Sequence, residues 1–182
     1  MSKRSEIVEH GSNYNWISEC EKLACRIRKR VLGHAVIHGG YLSQACSSAE
    51  VFSYLYEKGL KLGPSNGPLV PLPFSGTPSS NNSKHRSGME YNGPRQPEYD
   101  RFFLSPTHYA MTLYSVLIET CRLGQNGLEQ FNEDGSTVEM IGGEHSPGHE
   151  TNGGSFGQTI SQAAGVAWAR LRKGDSGIVC VF

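Results

Sequence analysis

Two short hydrophobic segments constrain this chain most: residues 101–104 (Arg-Phe-Phe-Leu) and residues 178–182 (Ile-Val-Cys-Val-Phe). Each reads as a strand, and helix-forming sequence stands before, between and beside them. Strands that alternate with helices imply a parallel sheet of the α/β class, flanked by helices. Two strands are too few to cover the faces of the four helices the sequence offers. The expectation is therefore a partial α/β fold.

The helices have explicit signals. Over residues 15–36 the apolar positions Ile17, Cys20, Leu23, Ala24, Ile27, Val31 and Ala35 recur at three- and four-residue spacing, the pattern of one buried face. Arg26, Arg28, Lys29 and Arg30 form a basic tail near the C-terminal end of the dipole, read as a solvated face in preference to an anion contact. Gly39-Gly40 stops this helix. Ser47-Ser-Ala-Glu50 has the form of a capping box, opening a helix that buries Val51 and Leu55 and ends at Gly59. Ser105 as cap and Pro106 at the first helical position start a third helix. It runs to Leu123 with Ala110, Leu113, Tyr114, Leu117 and Cys121 inward, and residues 127–131 add one more turn. Residues 158–172 form an Ala-rich helix whose Ala163, Ala164, Gly165 and Ala167 permit close packing, ended by Gly174.

Between the second and third helices, residues 60–98 hold seven of the nine prolines and many Gly, Ser and Asn. They have neither repeat nor charge block. A connection of this length inside one domain is functional or flexible, and it reads as an irregular excursion over the surface of a single domain spanning residues 15–182. Residues 1–14 are polar and read as a disordered N-terminus.

Composition excludes several partners. Lys plus Arg and Asp plus Glu are both 17, so there is no basic field to attract nucleic acid or an anionic membrane. The N-terminus lacks an apolar signal core, and the longest apolar run, residues 163–169, is far too short for a bilayer. Cytoplasm is the default location. The five cysteines form no C-x-x-C pair, which argues against a disulfide framework or structural zinc and leaves most of them as small buried hydrophobes.

Chemistry is expected at two junctions. His108 stands where the strand at 101–104 runs into its helix, and Gly153-Gly-Ser-Phe-Gly157 opens the Ala-rich helix. Glycines before a helix turn backbone N–H groups towards an anion, and the dipole adds partial positive charge. Open α/β sheets bind ligands at the C-terminal edges of their strands, so two helix starts with a histidine between them suit a diphosphate. His34 and His38 share an i, i+4 spacing but no third metal ligand. His145 and His149 share it too, but Pro147 and Gly148 forbid a helical metal clip. His10 and His85 lie in polar, mobile sequence and carry no functional signal.

The ordered series of these features resembles the N-terminal part of a transketolase: basic helix, Gly-Gly-Tyr-Leu-Ser-Gln, capped helix, Asp100-Arg-Phe-x-x-Ser-x-x-His-Tyr-Ala110, Gly-x-Glu-His-Ser-Pro-Gly, and Gly-Ser-Phe-Gly-Gln158. The similarity covers about residues 17–182 and is closest to the split, two-subunit form of that family. It implies a thiamine diphosphate-binding fold. By the resemblance His108 contacts the cofactor diphosphate, and Gly154, Ser155, Phe156 and Gly157 lie along the cofactor. His145 faces the thiazolium and the substrate, and His38 matches another substrate histidine, although its stretch reads Ile-His-Gly-Gly-Tyr here. Asn152-Gly153 replaces the Thr pair of the family, a change expected to loosen the loop.

The family continues from its last strand into an Asp-Gly…Asn segment that binds a magnesium ion. That segment is not within these 182 residues, so no metal ligand is assigned and the chain reads as truncated at its C-terminal strand. The resemblance therefore implies complementary subunits carrying the rest of the cofactor domain and the pyrimidine-binding domain, in a hetero- or homo-oligomer. The enzyme reading is a component of a thiamine diphosphate-dependent transferase that moves a two-carbon ketol unit between carbonyl or sugar substrates. The competing readings are a non-catalytic binding or structural subunit derived from a transketolase, and an incomplete reading frame.

Overall fold

The computed structural model describes residues 14–182. The expected N-terminal disorder and His10 therefore lie outside the described residues, Tyr14 excepted. The first helix, α1 (Asn15–His38), buries Cys20, Leu23, Ala24, Ile27 and Val31, as its spacing predicts, while Ile17 stays 39% exposed at the first turn. Gly39 ends it with φ +72°, a conformation that favours glycine. The basic tail is partly solvated, with Arg26 and Lys29 exposed, and it also makes ion pairs within the chain. Arg26 and Arg30 both pair with Glu119, at 2.9 and 2.6 Å, and Arg28 pairs with Glu50 at 2.5 Å.

That last pair explains why the capping box does not form. Residues 42–54 make two short helices, α2 (Leu42–Ser47) and α3 (Ala49–Tyr54), followed by a wider turn over Leu55–Gly59. Ser47 belongs to the first of them. Ser48, at the junction, turns its hydroxyl back to the Gln44 and Ala45 carbonyls and to Thr112, so it caps nothing. Glu50 has left for Arg28. The buried face of α3 is consequently Ala49, Phe52 and Ser53, continued by Tyr56, with Val51 46% exposed.

The excursion is irregular except for a 3-10 turn at Gly88–Asn92, whose Met89, Tyr91 and Asn92 are buried anchors. Strand β1 (Arg101–Phe103) follows. The helix expected at Ser105 begins later. Pro106 precedes a 3-10 turn, Thr107–Tyr109, and only then does α4 (Ala110–Glu119) start. Residues 110–118 of α4 are buried all round, because α1, α2 and α3 pack against it. It stops at Glu119, so Cys121 is an exposed turn residue with φ +59° instead of an inward one, and residues 127–131 are turns, not helix. Of the five cysteines Cys20 is buried, Cys46 and Cys180 are half-buried, and Cys25 and Cys121 are exposed; all are free.

Helix α5 (Gln158–Lys173) and strand β2 (Val179–Val181) complete the fold. β1 and β2 pair in parallel, Arg101 opposite Val179 and Phe103 opposite Val181, which makes the α/β class explicit. The core lies between β1 and the bundle of α1, α3 and α4, with Phe102 against Phe52 and Tyr56. Of α5, Thr159, Ala163 and Arg170 are buried, whereas Ile160, Trp168 and Leu171 are 57–71% exposed and Ala164 and Gly165 are open. The close packing expected of its small residues is thus limited to Ala163 within this chain.

Candidate functional site

Both strands run the same way, so their C-terminal ends share one edge. There Ser105 N–H donates to the Phe182 carbonyl (2.9 Å). The chain leaves β1 at this edge, and Pro106 removes one donor and directs the 3-10 turn that carries His108. The imidazole is half-buried between two rings: Tyr41 meets it edge-on at 4.6 Å, and Phe156 stacks on it at 5.1 Å with planes 8° apart. Phe156 is itself 74% exposed. His108 and the 154–157 segment, 46 positions distant in sequence, are therefore one place in the structure.

Gly153 sets that meeting. It is buried against the end of β1, where an added Cβ would lie 2.9 Å from the Leu104 carbonyl and 3.1 Å from that of Ser105. Only glycine allows the loop to approach the strand this closely. Gly154 is open by contrast, with the nearest atom Ile141 Cγ2 at 3.9 Å. Gly157 takes φ +82° and starts α5 without any side-chain cap. Gln158 N–H turns back to the Ser155 carbonyl (3.2 Å), which leaves the next amides of the first turn, those of Thr159 and Ile160, available to an anion. Behind them the Thr159 hydroxyl is fully buried and has no hydrogen-bond partner. Residues 154–157 expose backbone and one aromatic ring, an arrangement that fits an extended anionic ligand with an apolar portion.

The first half of the same connection is built differently. Asn152 Oδ1 accepts from Glu144 N–H (2.8 Å), so the Asn-Gly pair ties the loop where loosening is expected from the sequence. The Glu150 carboxylate is buried, pairs with the Arg101 guanidinium and accepts from Phe102 N–H (3.0 Å). Burial raises its pKa, against the opposing pull of Arg101. His149 is fully buried beside Tyr114, with Nδ1–H directed at the Pro147 carbonyl (3.3 Å) and Nε2 unpartnered. Burial holds its pKa down to about 4, so it is neutral.

His145 is not brought to His108 by any contact. Its ring lies 4.6 Å from Phe74 of the excursion and its Nε2 faces Glu139 at 3.3 Å. The residues next to the cleft from this segment are Ile141, beside Gly154, and Met140, beside Gly40. His38 stacks on His34 (4.5 Å) and both lean on Phe131. Burial and the neighbouring His38 lower the pKa of His34 to about 4. His85, without a functional signal in the sequence, is anchored: Nδ1 meets the Gly76 carbonyl and Nε2 meets Glu144, both at 3.2 Å. No local pattern marks it, because one of its two partners, Glu144, comes from a remote loop. Among the described residues no group of three His, Cys, Asp or Glu side chains is placed to hold a metal ion, and no helix is long and apolar enough to cross a membrane.

These elements coincide with a known domain. The sequence model for the transketolase thiamine diphosphate-binding domain matches residues 83–176, which take in β1, His108, α4, the Gly/His connection and α5. The chain belongs to the transketolase family. It is also 30% identical over 158 residues to the uncharacterized transketolase family protein y4mO of Sinorhizobium fredii (strain NBRC 101917 / NGR234). That alignment spans 86% of this chain and 47% of the relative, so the chain covers about half the relative's length.

Proposed function

We propose that this transketolase-family chain is the diphosphate-binding part of an enzyme that transfers a two-carbon ketol unit between carbonyl or sugar substrates. The observation that carries the proposal is the contact of His108 with Phe156 at the uncapped start of α5. A histidine is thereby set beside the positive end of a helix whose Thr159 and Ile160 amides are free, a combination suited to holding a diphosphate. Thiamine diphosphate, when bound, supplies the carbanion chemistry for breaking and making a carbon–carbon bond next to a carbonyl. His108 and the backbone of Gly154, Ser155, Phe156 and Gly157 would hold it, the exposed Phe156 ring giving an apolar surface. His145, and His38 with it, would hydrogen-bond substrate oxygens as charge develops on them. The bridging magnesium ion would take its ligands from sequence outside residues 14–182, in the same polypeptide or a companion. The exposed Ile160, Trp168 and Leu171 of α5 offer that additional structure an apolar face.

A non-catalytic subunit is the second reading. The observation favouring it is that His145 and His38 are each engaged by contacts within this chain. Titration calorimetry on the assembled protein separates the two. The enzyme reading expects thiamine diphosphate to bind with magnesium present. Losing a hydrogen bond to a charged group costs about 1.5–3 kcal/mol, so His108→Ala is expected to weaken binding by roughly ten- to a hundred-and-fifty-fold. Unchanged affinity in that variant would remove His108 from the site, and no binding in any mixture favours the non-catalytic reading.

A further inference from the structure

The part of the excursion that crosses His145, residues 68–76, is fastened at four points. The Tyr91 hydroxyl donates to the Pro68 carbonyl (2.8 Å) and Gly124 N–H donates to that of Leu69 (2.7 Å). The Thr137 hydroxyl donates to the Leu72 carbonyl (3.0 Å), and Phe74 N–H donates to that of Gly135 (2.7 Å). Pro68, Pro71 and Pro73 fix φ at three positions of the same run. Such a strap is a wall and not a hinge. The side chain it sets beside His145 is Phe74, 41% exposed, its ring tilted 49° to the imidazole. Glu139 holds the Nε2 edge, and the His145 side chain is left 18% exposed. The family model begins to match at residue 83, so this strap lies ahead of the matched region.

We propose that Phe74 is a specificity-determining residue, a fixed apolar wall that admits short carbonyl substrates to His145 and rejects long polyhydroxylated ones. The inference rests on the reading of His145 as a substrate-facing residue. A polyol chain approaching the imidazole from the strap side would meet a phenyl ring with neither donor nor acceptor. The hydroxyls packed against that ring would lose water without replacement, which is unfavourable for each of them. A two-carbon aldehyde needs no room there and suffers nothing.

The test compares kcat/KM for two acceptors, glycolaldehyde and ribose 5-phosphate, in the assembled protein carrying the native residue, Phe74→Ala or Phe74→Leu. Differences of a few carbons in a pocket wall change such ratios by about 10–200-fold. Phe74→Ala is therefore expected to shift the ratio towards the pentose phosphate by at least tenfold, and Phe74→Leu, which keeps an apolar wall, by far less. Thiamine diphosphate affinity is expected to stay the same in all three. Independently of activity, the imidazole proton resonances of His145 should move in Phe74→Ala, as the ring current is lost, while those of His108 stay. An unchanged acceptor ratio with intact cofactor binding overturns the role of Phe74 and leaves the functional reading standing. Unmoved His145 resonances overturn the ring contact on which it depends, and absence of cofactor binding in the native protein overturns both readings.

Discussion

Residues 143–150 and 151–157 are halves of one connection, both rich in glycine and polar side chains, and the fold treats them in opposite ways. In the first half Ser146, Pro147, Gly148, His149 and Glu150 are buried, and a guanidinium, a backbone amide and carbonyls account for most of their polar atoms. In the second half residues 154–157 are exposed and none of their side chains is hydrogen-bonded to the rest of the chain. The contrast separates holding a loop from using it. Groups whose hydrogen bonds are satisfied internally have nothing left for a ligand, whereas free amides at a helix start do. Richness in Gly and His is thus not the functional signal. The signal is which part of the loop stays unsatisfied next to the strand edge.

Breaking the buried half should have the largest effect. Removing one partner of a buried ion pair leaves an uncompensated charge and costs about 3–5 kcal/mol, a large share of a total stability of roughly 5–15 kcal/mol. Arg101→Ala and Glu150→Ala are each expected to lose that much in urea denaturation. Glu150→Gln should lose less, since the Phe102 N–H retains an acceptor. Ser155→Ala in the exposed half should change nothing measurable. Equal losses in both halves would erase the comparison.

A smaller effect is expected from pH. The folded pKa of His149 is about 4, below the unfolded value of about 6.5, because burial penalises the charged ring. The unfolded state then binds more protons between these values, so stability is full above about pH 6.5 and falls as pH drops towards 4. With each unit worth about 1.4 kcal/mol, the loss attributable to His149 is about 3 kcal/mol across that window. His34 acts in the same direction, with a contribution reduced by its exposure to solvent. Chemical denaturation at intervals from pH 4 to 7 checks the slope, and His149→Gln should flatten most of it. A slope unaltered by that substitution would show that His149 does not titrate as a buried group.

These residues also mark how far the sequence can be read. α1 is legible from its periodicity, α5 from its Ala-rich run closed by Gly174, and β1 and β2 from their short apolar runs. The fate of the capping box is not, because Arg28, 22 positions from Glu50, takes that carboxylate. A rule about four consecutive residues cannot anticipate it. The start of α4 escapes for a similar reason, the tertiary packing of the 3-10 turn under Tyr41 and Phe156 overriding the Ser-Pro signal. At the candidate site the pairing of His108 with the 154–157 segment follows from the rule that places ligands at strand ends. The burial of His149 and Glu150, the strap over His145 and the anchoring of His85 depend on contacts between segments far apart in the chain, which local spacing does not encode.

The finest division of the connection falls between two adjacent glycines. An alanine methyl at Gly153 would press on the Leu104 and Ser105 carbonyls and on Thr107 Cγ2, at 2.9–3.1 Å. Those carbonyls close the end of β1, and Ser105 is itself bonded to Phe182, so the backbone cannot yield without disturbing the sheet edge. Overpacking of this kind costs about 1–3 kcal/mol. At Gly154 the nearest atom is 3.9 Å away, so Gly154→Ala should stay within about 0.5 kcal/mol of the native stability. On the proposed reading its effect should appear instead in thiamine diphosphate affinity, because the methyl would stand on the backbone assigned to the cofactor. Paired melting curves and calorimetric titrations of the two variants provide the check. A loss of stability at Gly154 equal to that at Gly153 would place the boundary between the structural and functional halves elsewhere in the loop.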